Sequence, residues 1–153
     1  MEISKQLNCP VDYVYNEIIN SVVYDIKRST GARVKKDYLK DYTYTKQFHD
    51  GSTGTIKILD QAKNERYMFQ TITNKNTFTS AYRFSAIDDY HCQIDFKEEL
   101  ESNGMMQKIN DFLMRLLFQH SKKTQFLQML EQIEEKYQSE QIKADVDRLK
   151  NHQ

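Results

Sequence analysis

The sequence predicts an α+β fold in which an antiparallel sheet of about six strands wraps around a long C-terminal α-helix. Residues 42–101 alternate apolar and polar side chains and are divided by short turns, which is typical of antiparallel strands with one dry face. The stretch from Met105 to Tyr137 instead has an apolar stripe at helical spacing, which indicates a helix with one buried side. That stripe contains Met105, Ile109, Phe112, Leu113, Leu116, Leu117, Leu127 and Leu130. The helix is therefore expected to cover the dry face of the sheet.

Composition narrows the class of protein. The 153 residues suffice for one domain with a sizeable core, and 12% aromatic residues argue against disorder. Formal charge is zero, with 22 basic and 22 acidic residues, so no overall field attracts nucleic acid or anionic lipid. The basic stretch from Lys27 to Lys40 is interpreted as a solvated loop rather than a phosphate site. No membrane span and no signal peptide are predicted, so we expect a cytoplasmic protein.

The first part of the chain predicts a strand followed by a helix. Glu2 to Asn8 alternates as a strand does, and Pro10 suits the first turn of the helix that follows. Apolar residues then recur at helical spacing until Thr30-Gly31, where glycine is typical of a helix end. A short second helix is predicted within Ala32–Asp41.

The five strands that follow complete the predicted sheet. Turn residues separate them, and short turns pair neighbouring strands antiparallel. The predicted strands are Tyr42–His49, Thr55–Gln61, Glu65–Thr73, Thr77–Ile87 and His91–Glu101.

The last residues differ from the rest in composition. We expect one domain over residues 1–137 and a polar tail over residues 138–153 that is either helical or disordered. A thin apolar line, Ile142, Val146 and Leu149, persists along the tail. The tail and the outer sheet face are the candidate surfaces for a homodimer.

The chain resembles a known superfamily in its first residues and in its element order. The opening Met-Glu-Ile-Ser-Lys-Gln-Leu-Asn-Cys-Pro-Val-Asp-Tyr-Val-Tyr is similar to the entry of START-like, or helix-grip, proteins, which include the Bet v 1-like (SRPBCC) binders and the polyketide cyclase-like proteins. More narrowly, Ser21-Val22-Val23-Tyr24-Asp25-Ile26 before Thr30-Gly31, and a Tyr-rich strand ending in Asp50-Gly51, resemble a bacterial family of unknown function (domain of unknown function 3284). The resemblance covers residues 1–137.

The resemblance implies a hydrophobic cavity between the sheet and the last helix. Such a cavity would bind a small hydrophobic or amphipathic molecule, and an ordinary packed core is the alternative interpretation of the same residues. The residues implied to line it are Phe69, Tyr82, Phe84, Ile94, Phe96, Phe112, Leu116 and His120.

His120 is the polar residue of the predicted lining that most directly suggests a chemical role. It falls on the inward stripe of the helix, where an imidazole orients a ligand or moves a proton near neutral pH. The favoured alternative is a histidine satisfied by a backbone carbonyl or by water. Two other functions therefore stay open, a cyclase- or hydratase-like enzyme using His120 and a protein-interaction module with a filled core. No catalytic motif, cofactor or metal site is predicted.

The two cysteines provide one geometric expectation. If the first strand pairs antiparallel with the last, as in the superfamily, Cys9 approaches Cys92. No pair spacing indicates a zinc or redox motif, so we expect neighbouring reduced thiols.

Overall fold

The part of the chain that the structure describes folds into one six-stranded antiparallel sheet and two α-helices. The computed structural model describes the backbone of residues 1–102 and 108–152 and the side chains of residues 1–101 and 122–152. The elements are β1 (Glu2–Leu7), α1 (Val11–Thr30), β2 (Thr43–Gln47), β3 (Thr53–Ala62), β4 (Arg66–Ile72), β5 (Asn76–Asp88), β6 (His91–Ser102) and α2 (Lys108–Asn151). The strand order is β1-β6-β5-β4-β3-β2. The predicted α+β architecture is confirmed.

Helix α1 begins and ends where the sequence predicts. Pro10 precedes it at φ −62°, a value that the proline ring favours. Gly31 follows it at φ 76°, and its N–H donates to the Lys27 carbonyl at 2.8 Å. This left-handed residue terminates the helix because glycine adopts the conformation without a Cβ clash.

The predicted second helix within Ala32–Asp41 is wrong. The segment is a loop with turns, Tyr38 is 78% exposed, and Leu39 is fully buried. A helix would satisfy the backbone locally, whereas here the Leu39 N–H donates to Gln61 Oε1 at 3.0 Å and the Asp41 N–H donates to the Ile58 carbonyl at 2.9 Å. These contacts hold the segment against β3 in a non-helical conformation.

The strand registers place the apolar residues on one side of the sheet, called here the inner face. Phe96 of β6 lies opposite Ile3 of β1 on one side and Tyr82 of β5 on the other. Tyr82 in turn lies opposite Tyr67 of β4. Because side chains alternate along a strand, this register keeps one set of residues together across the sheet. The outer face carries mainly polar residues, as predicted.

Helix α2 packs on the inner face and continues beyond it. Leu130 is fully buried, as predicted, with Phe126 and Ile133 beside it on the same stripe. Leu127 is only half-buried. The predicted stripe residues from Met105 to Leu117 lie outside the side chains that the structure describes. The helix runs for 44 residues to Asn151, well past the predicted end at Tyr137.

The cysteines lie together at the junction of β1 and β6. Leu7 pairs with Cys92, and Cys9 follows two residues later, so both thiols enter the core as free, fully buried groups. A hydrogen bond to Cys92 and burial raise the pKa of the Cys9 thiol. The structure thus agrees with the expectation of neighbouring thiols that are not bonded.

Candidate ligand site

Aromatic rings cover the centre of the inner face, grouped around Tyr82. The Tyr82 ring lies 4.9 Å from the Phe96 ring and 5.8 Å from the Phe126 ring, measured between centroids. Phe84 stacks on Tyr82 at 6.0 Å, and Tyr67 lies 5.9 Å away. Phe96 and Phe126 stack at 4.4 Å, which joins β6 to α2. This group provides a broad apolar surface under the helix.

The predicted lining residues of the sheet all lie on this face. They are Phe69, Tyr82, Phe84, Ile94 and Phe96. Phe84, Ile94 and Phe96 are buried, whereas Phe69 and Tyr82 are half-buried. The helical candidates, Phe112, Leu116 and His120, lie outside the described side chains, so their part in a site stays a prediction.

One polar cluster interrupts the apolar inner face. Glu98 follows Phe96 on the same side of β6, and its side chain is 17% exposed. The Ser80 hydroxyl donates to Glu98 Oε2 at 2.9 Å, and Lys122 Nζ donates to Glu98 Oε1 at 2.9 Å. Ser80 itself is 2% exposed, the one polar residue in the buried core among the described side chains. A carboxylate in this position needs such partners because burial of an unpaired charge is costly.

The packing of α2 determines where Lys122 lies. Lys122 precedes Phe126 by four residues and therefore shares its side of the helix. With Phe126 stacked on Phe96, the Lys122 ammonium lies 4.0 Å from the centroid of the Phe78 ring. The ammonium thus contacts a carboxylate and an aromatic face together, which is a favourable site for a cation.

Tyr82 adds a protonated phenol to this end of the site. Burial, together with the nearby charge of Glu98, raises the pKa of the Tyr82 hydroxyl above its usual value. The hydroxyl therefore remains a hydrogen-bond donor across the physiological pH range. Tyr82, Glu98 and Ser80 give the inner face donor and acceptor groups within an aromatic surround.

A second set of polar contacts joins α1 to the far strands. Tyr44 Oη donates to Asp25 Oδ2 at 2.6 Å, and Lys46 Nζ lies 2.8 Å from Asp25 Oδ1. Burial raises the pKa of Tyr44, as does its hydrogen bond to Asp25. Gln61 donates to Tyr15 Oη at 3.0 Å. Because these groups satisfy one another, this cluster stabilises the helix–sheet contact rather than offering a free site.

The outer face has an open groove of about 730 Å³. Its floor includes Met68, and Arg66 and Arg83 lie opposite each other across β4 and β5. Arg66 pairs with Asp60, and Arg83 lies opposite Asp95. Acidic partners therefore compensate the charge of both arginines, and the groove has no excess charge with which to select an ion.

The site lacks the groups of a metal centre within the part of the chain that the structure describes. No cluster of three histidine, cysteine or acidic side chains is present there. Over the same residues, no helix is sufficiently long and apolar to cross a membrane.

Sequence reasoning missed the Glu98 cluster, although a signal was present. Glu98 occupies the same strand side as Ile94 and Phe96, so a charged residue stands where alternation predicts an apolar one. Ser80 likewise stands between Phe78 and Tyr82 on the inner side of β5. Register then places these two polar residues opposite each other, a pairing that alternation along one strand does not reveal.

Comparison with solved structures shows the same fold in other proteins. A protein from Rhizobium leguminosarum described as putative and uncharacterized aligns with a TM-score of 0.55 at 13% identity, over 89% of this chain and 93% of that one. Norcoclaurine synthase from Thalictrum flavum, in complex with dopamine and hydroxybenzaldehyde, aligns with a TM-score of 0.54 at 10% identity, over 74% of this chain and 75% of that one. At these identities the likeness shows the fold alone.

Sequence comparison assigns the family. No curated protein matches the chain significantly. The family described as "Domain of unknown function (DUF3284)" matches residues 1–119, and the solved structures are consistent with a START-like, Bet v 1-like fold. The chain therefore belongs to the DUF3284 family, and its fold is that of the helix-grip superfamily.

Proposed function

We propose that this domain binds a small amphipathic molecule between the inner face and α2. The apolar body of the ligand packs on the rings around Tyr82, and a hydrogen-bond donor on the ligand is oriented by Glu98. The observation that carries the proposal is Glu98 itself, a largely buried carboxylate beside half-buried aromatic rings. Ligand sites combine an apolar lining with a few placed polar groups in this way. The proposed binding unit is residues 1–137.

The hydrogen-bonding groups of the cluster favour particular ligand head groups. A hydroxyl or an ammonium group donates to the carboxylate of Glu98, whereas a ligand carboxylate is itself an acceptor and has no proton to donate. Lys122 compensates the charge of Glu98 at 2.9 Å, so this preference depends on the acceptor oxygens of Glu98 and not on a net negative charge. We therefore expect amines and alcohols with an aromatic or aliphatic body to be preferred over acids.

The same contacts leave an acceptor for the ligand. Each oxygen of Glu98 accepts one hydrogen bond, Oε2 from Ser80 and Oε1 from Lys122, and each retains a second lone pair. A donor on the ligand therefore has an acceptor on Glu98, while Ser80 and Lys122 fix the direction of the carboxylate.

The test uses three probes with one apolar body and different head groups. We would titrate isotopically labelled protein with 2-phenylethylamine, 2-phenylethanol and phenylacetic acid and follow chemical shifts by NMR. The amine and the alcohol are expected to shift resonances of Tyr82, Phe96 and Ser80. Glu98→Gln is expected to weaken amine binding about tenfold or more, as loss of a charged hydrogen bond predicts.

A matched carboxylate provides the control. Glu99 lies on the outer face and pairs with Lys97 at 2.6 Å, so Glu99→Gln removes the same charge one residue away. The Glu99→Gln variant is expected to bind the amine as tightly as the unmodified chain does. Equal losses in both variants, or shifts confined to the outer face, would contradict a site at Glu98.

A further inference from the structure

The last part of α2 extends beyond the body of the domain. Tyr137 is the last half-buried residue of the helix, and its ring lies 4.9 Å from the Tyr13 ring of α1. Lys136 pairs with Glu17 at 2.9 Å at the same level. Every residue from 138 to 152 is exposed. We call residues 138–151 the distal helix.

Three large apolar side chains remain on the distal helix. Ile142 is 66% exposed, Val146 43% and Leu149 69%. Their spacing of four and then three residues places them on one stripe of the helix surface. A stripe of this kind is the usual contact surface between two helices.

This stripe does not continue the one that packs on the sheet. Phe126, Leu130, Ile133 and Tyr137 follow the same spacing of four and three residues. Ile142 is five positions after Tyr137, so its side chain points in a direction about 140° away around the helix axis at 3.6 residues per turn. The distal stripe therefore points away from the body, and the sheet of the same chain cannot cover it.

Charges beside the stripe favour a particular partner and orientation. Lys143 and Lys150 lie along one edge of the stripe, and Asp145 lies along the other. In a parallel pair of identical helices, residues five positions apart meet across the seam, so Asp145 of one copy faces Lys150 of the other. An antiparallel pair instead brings lysine to lysine and Asp145 to Asp145. Only the parallel pair is complementary.

We propose that the distal helix is a self-association site, in which two copies of this chain pair in parallel through Ile142, Val146 and Leu149. Because the stripe faces away from the packed side of α2, the two domains lie on opposite outer sides and do not collide. The contact is small, so the dimer forms and dissociates with concentration rather than being permanent.

The test measures the mass of the full chain by sedimentation equilibrium. Between about 10 μM and about 1 mM, where small interfaces associate, the average mass is expected to rise towards that of two chains. Val146→Glu places a charge in the centre of the stripe and is expected to leave one chain at every concentration. Ala144→Glu adds the same charge on the opposite side of the helix and is expected to dimerise normally. A single-chain mass for the unmodified protein, or a dimer that persists in Val146→Glu, would overturn the proposal.

Charge reversal tests the orientation. Lys150→Asp sets two acidic residues face to face in the parallel pair and is expected to weaken dimerisation about tenfold. Combining it with Asp145→Lys restores the complementary pair and is expected to recover the affinity. In an antiparallel pair Lys150→Asp would instead strengthen the dimer by facing Lys143, which would overturn the parallel arrangement. Leu149→Cys adds a second readout, because only a parallel pair brings the two substituted positions together for oxidative cross-linking.

Discussion

Three leucines on α2 differ in burial, so replacing each one measures how much the helix–sheet contact contributes to the free energy of unfolding. Leu130 is fully buried, Leu127 is half-buried and Leu149 is 69% exposed. Replacing Leu130 by alanine removes three buried carbons at about 0.8 kcal/mol each, about 2.4 kcal/mol in transfer free energy. The residual cavity adds to this, so we expect the free energy of unfolding to fall by about 3–4 kcal/mol.

The other two leucines serve as graded controls. Leu127→Ala is expected to cost about half as much, and Leu149→Ala is expected to change stability by less than about 0.5 kcal/mol. Urea unfolding followed by circular dichroism, at a few μM so that self-association does not contribute, measures all three. For a chain of this length the loss in Leu130→Ala corresponds to a fall in Tm of about 6–16 °C.

The order of the three losses in stability tests whether α2 packs on the inner face through Leu130. A Leu149→Ala variant as unstable as Leu130→Ala would show that burial on the sheet does not determine the stability of α2. A Leu130→Ala variant as stable as the unmodified chain would refute the contact between α2 and the inner face.

Three further predictions concern hydrogen bonds, thiols and pH. Tyr44→Phe removes the hydroxyl that donates to Asp25 and is expected to destabilise the domain by about 1.5–3 kcal/mol in urea unfolding. Cys9 and Cys92 are expected to resist a thiol reagent in the native state and to give two free thiols per chain in denaturant; one disulfide per chain would contradict this. Hydrogen bonds lower the pKa of Asp95, so its stabilisation is present above about pH 4 and is lost as the pH falls through the depressed pKa. Asp95→Asn should therefore reduce the loss of stability in acid, and an unchanged pH profile would refute this role.

The strands were predictable because their signal is local. Alternation in β5 and β6 determines which side chains share a face, and turns rich in glycine, asparagine and aspartate separate the strands. Register extends this across the sheet, which explains why the predicted residues Phe84, Ile94 and Phe96 lie together. The predicted first strand and α1 were likewise correct to within one or two residues.

The remaining features depend on contacts that no local pattern contains. Leu39 is buried in a loop that is bonded to β3, and its N–H donates to the Gln61 side chain instead of to a helical carbonyl. The Glu98 cluster requires the register of two strands and the position of Lys122 on α2. The distal helix has no apolar stripe that faces the domain. The apolar periodicity of the sequence therefore predicts that α2 ends at Tyr137, where the distal helix begins.

The pairing of β1 with β6 has a consequence for how the protein is made. Ser4 and Asp95 are 91 positions apart in the chain, and their side chains meet at 2.6 Å. β1 leaves the ribosome first, yet its only neighbour in the sheet, β6, is synthesised last of the strands. Strands β2 to β6 pair with one another through short local turns as they emerge. The earliest strand in synthesis is thus the latest to join the sheet, and until then its apolar residues are left to chaperones or to transient contacts with α1.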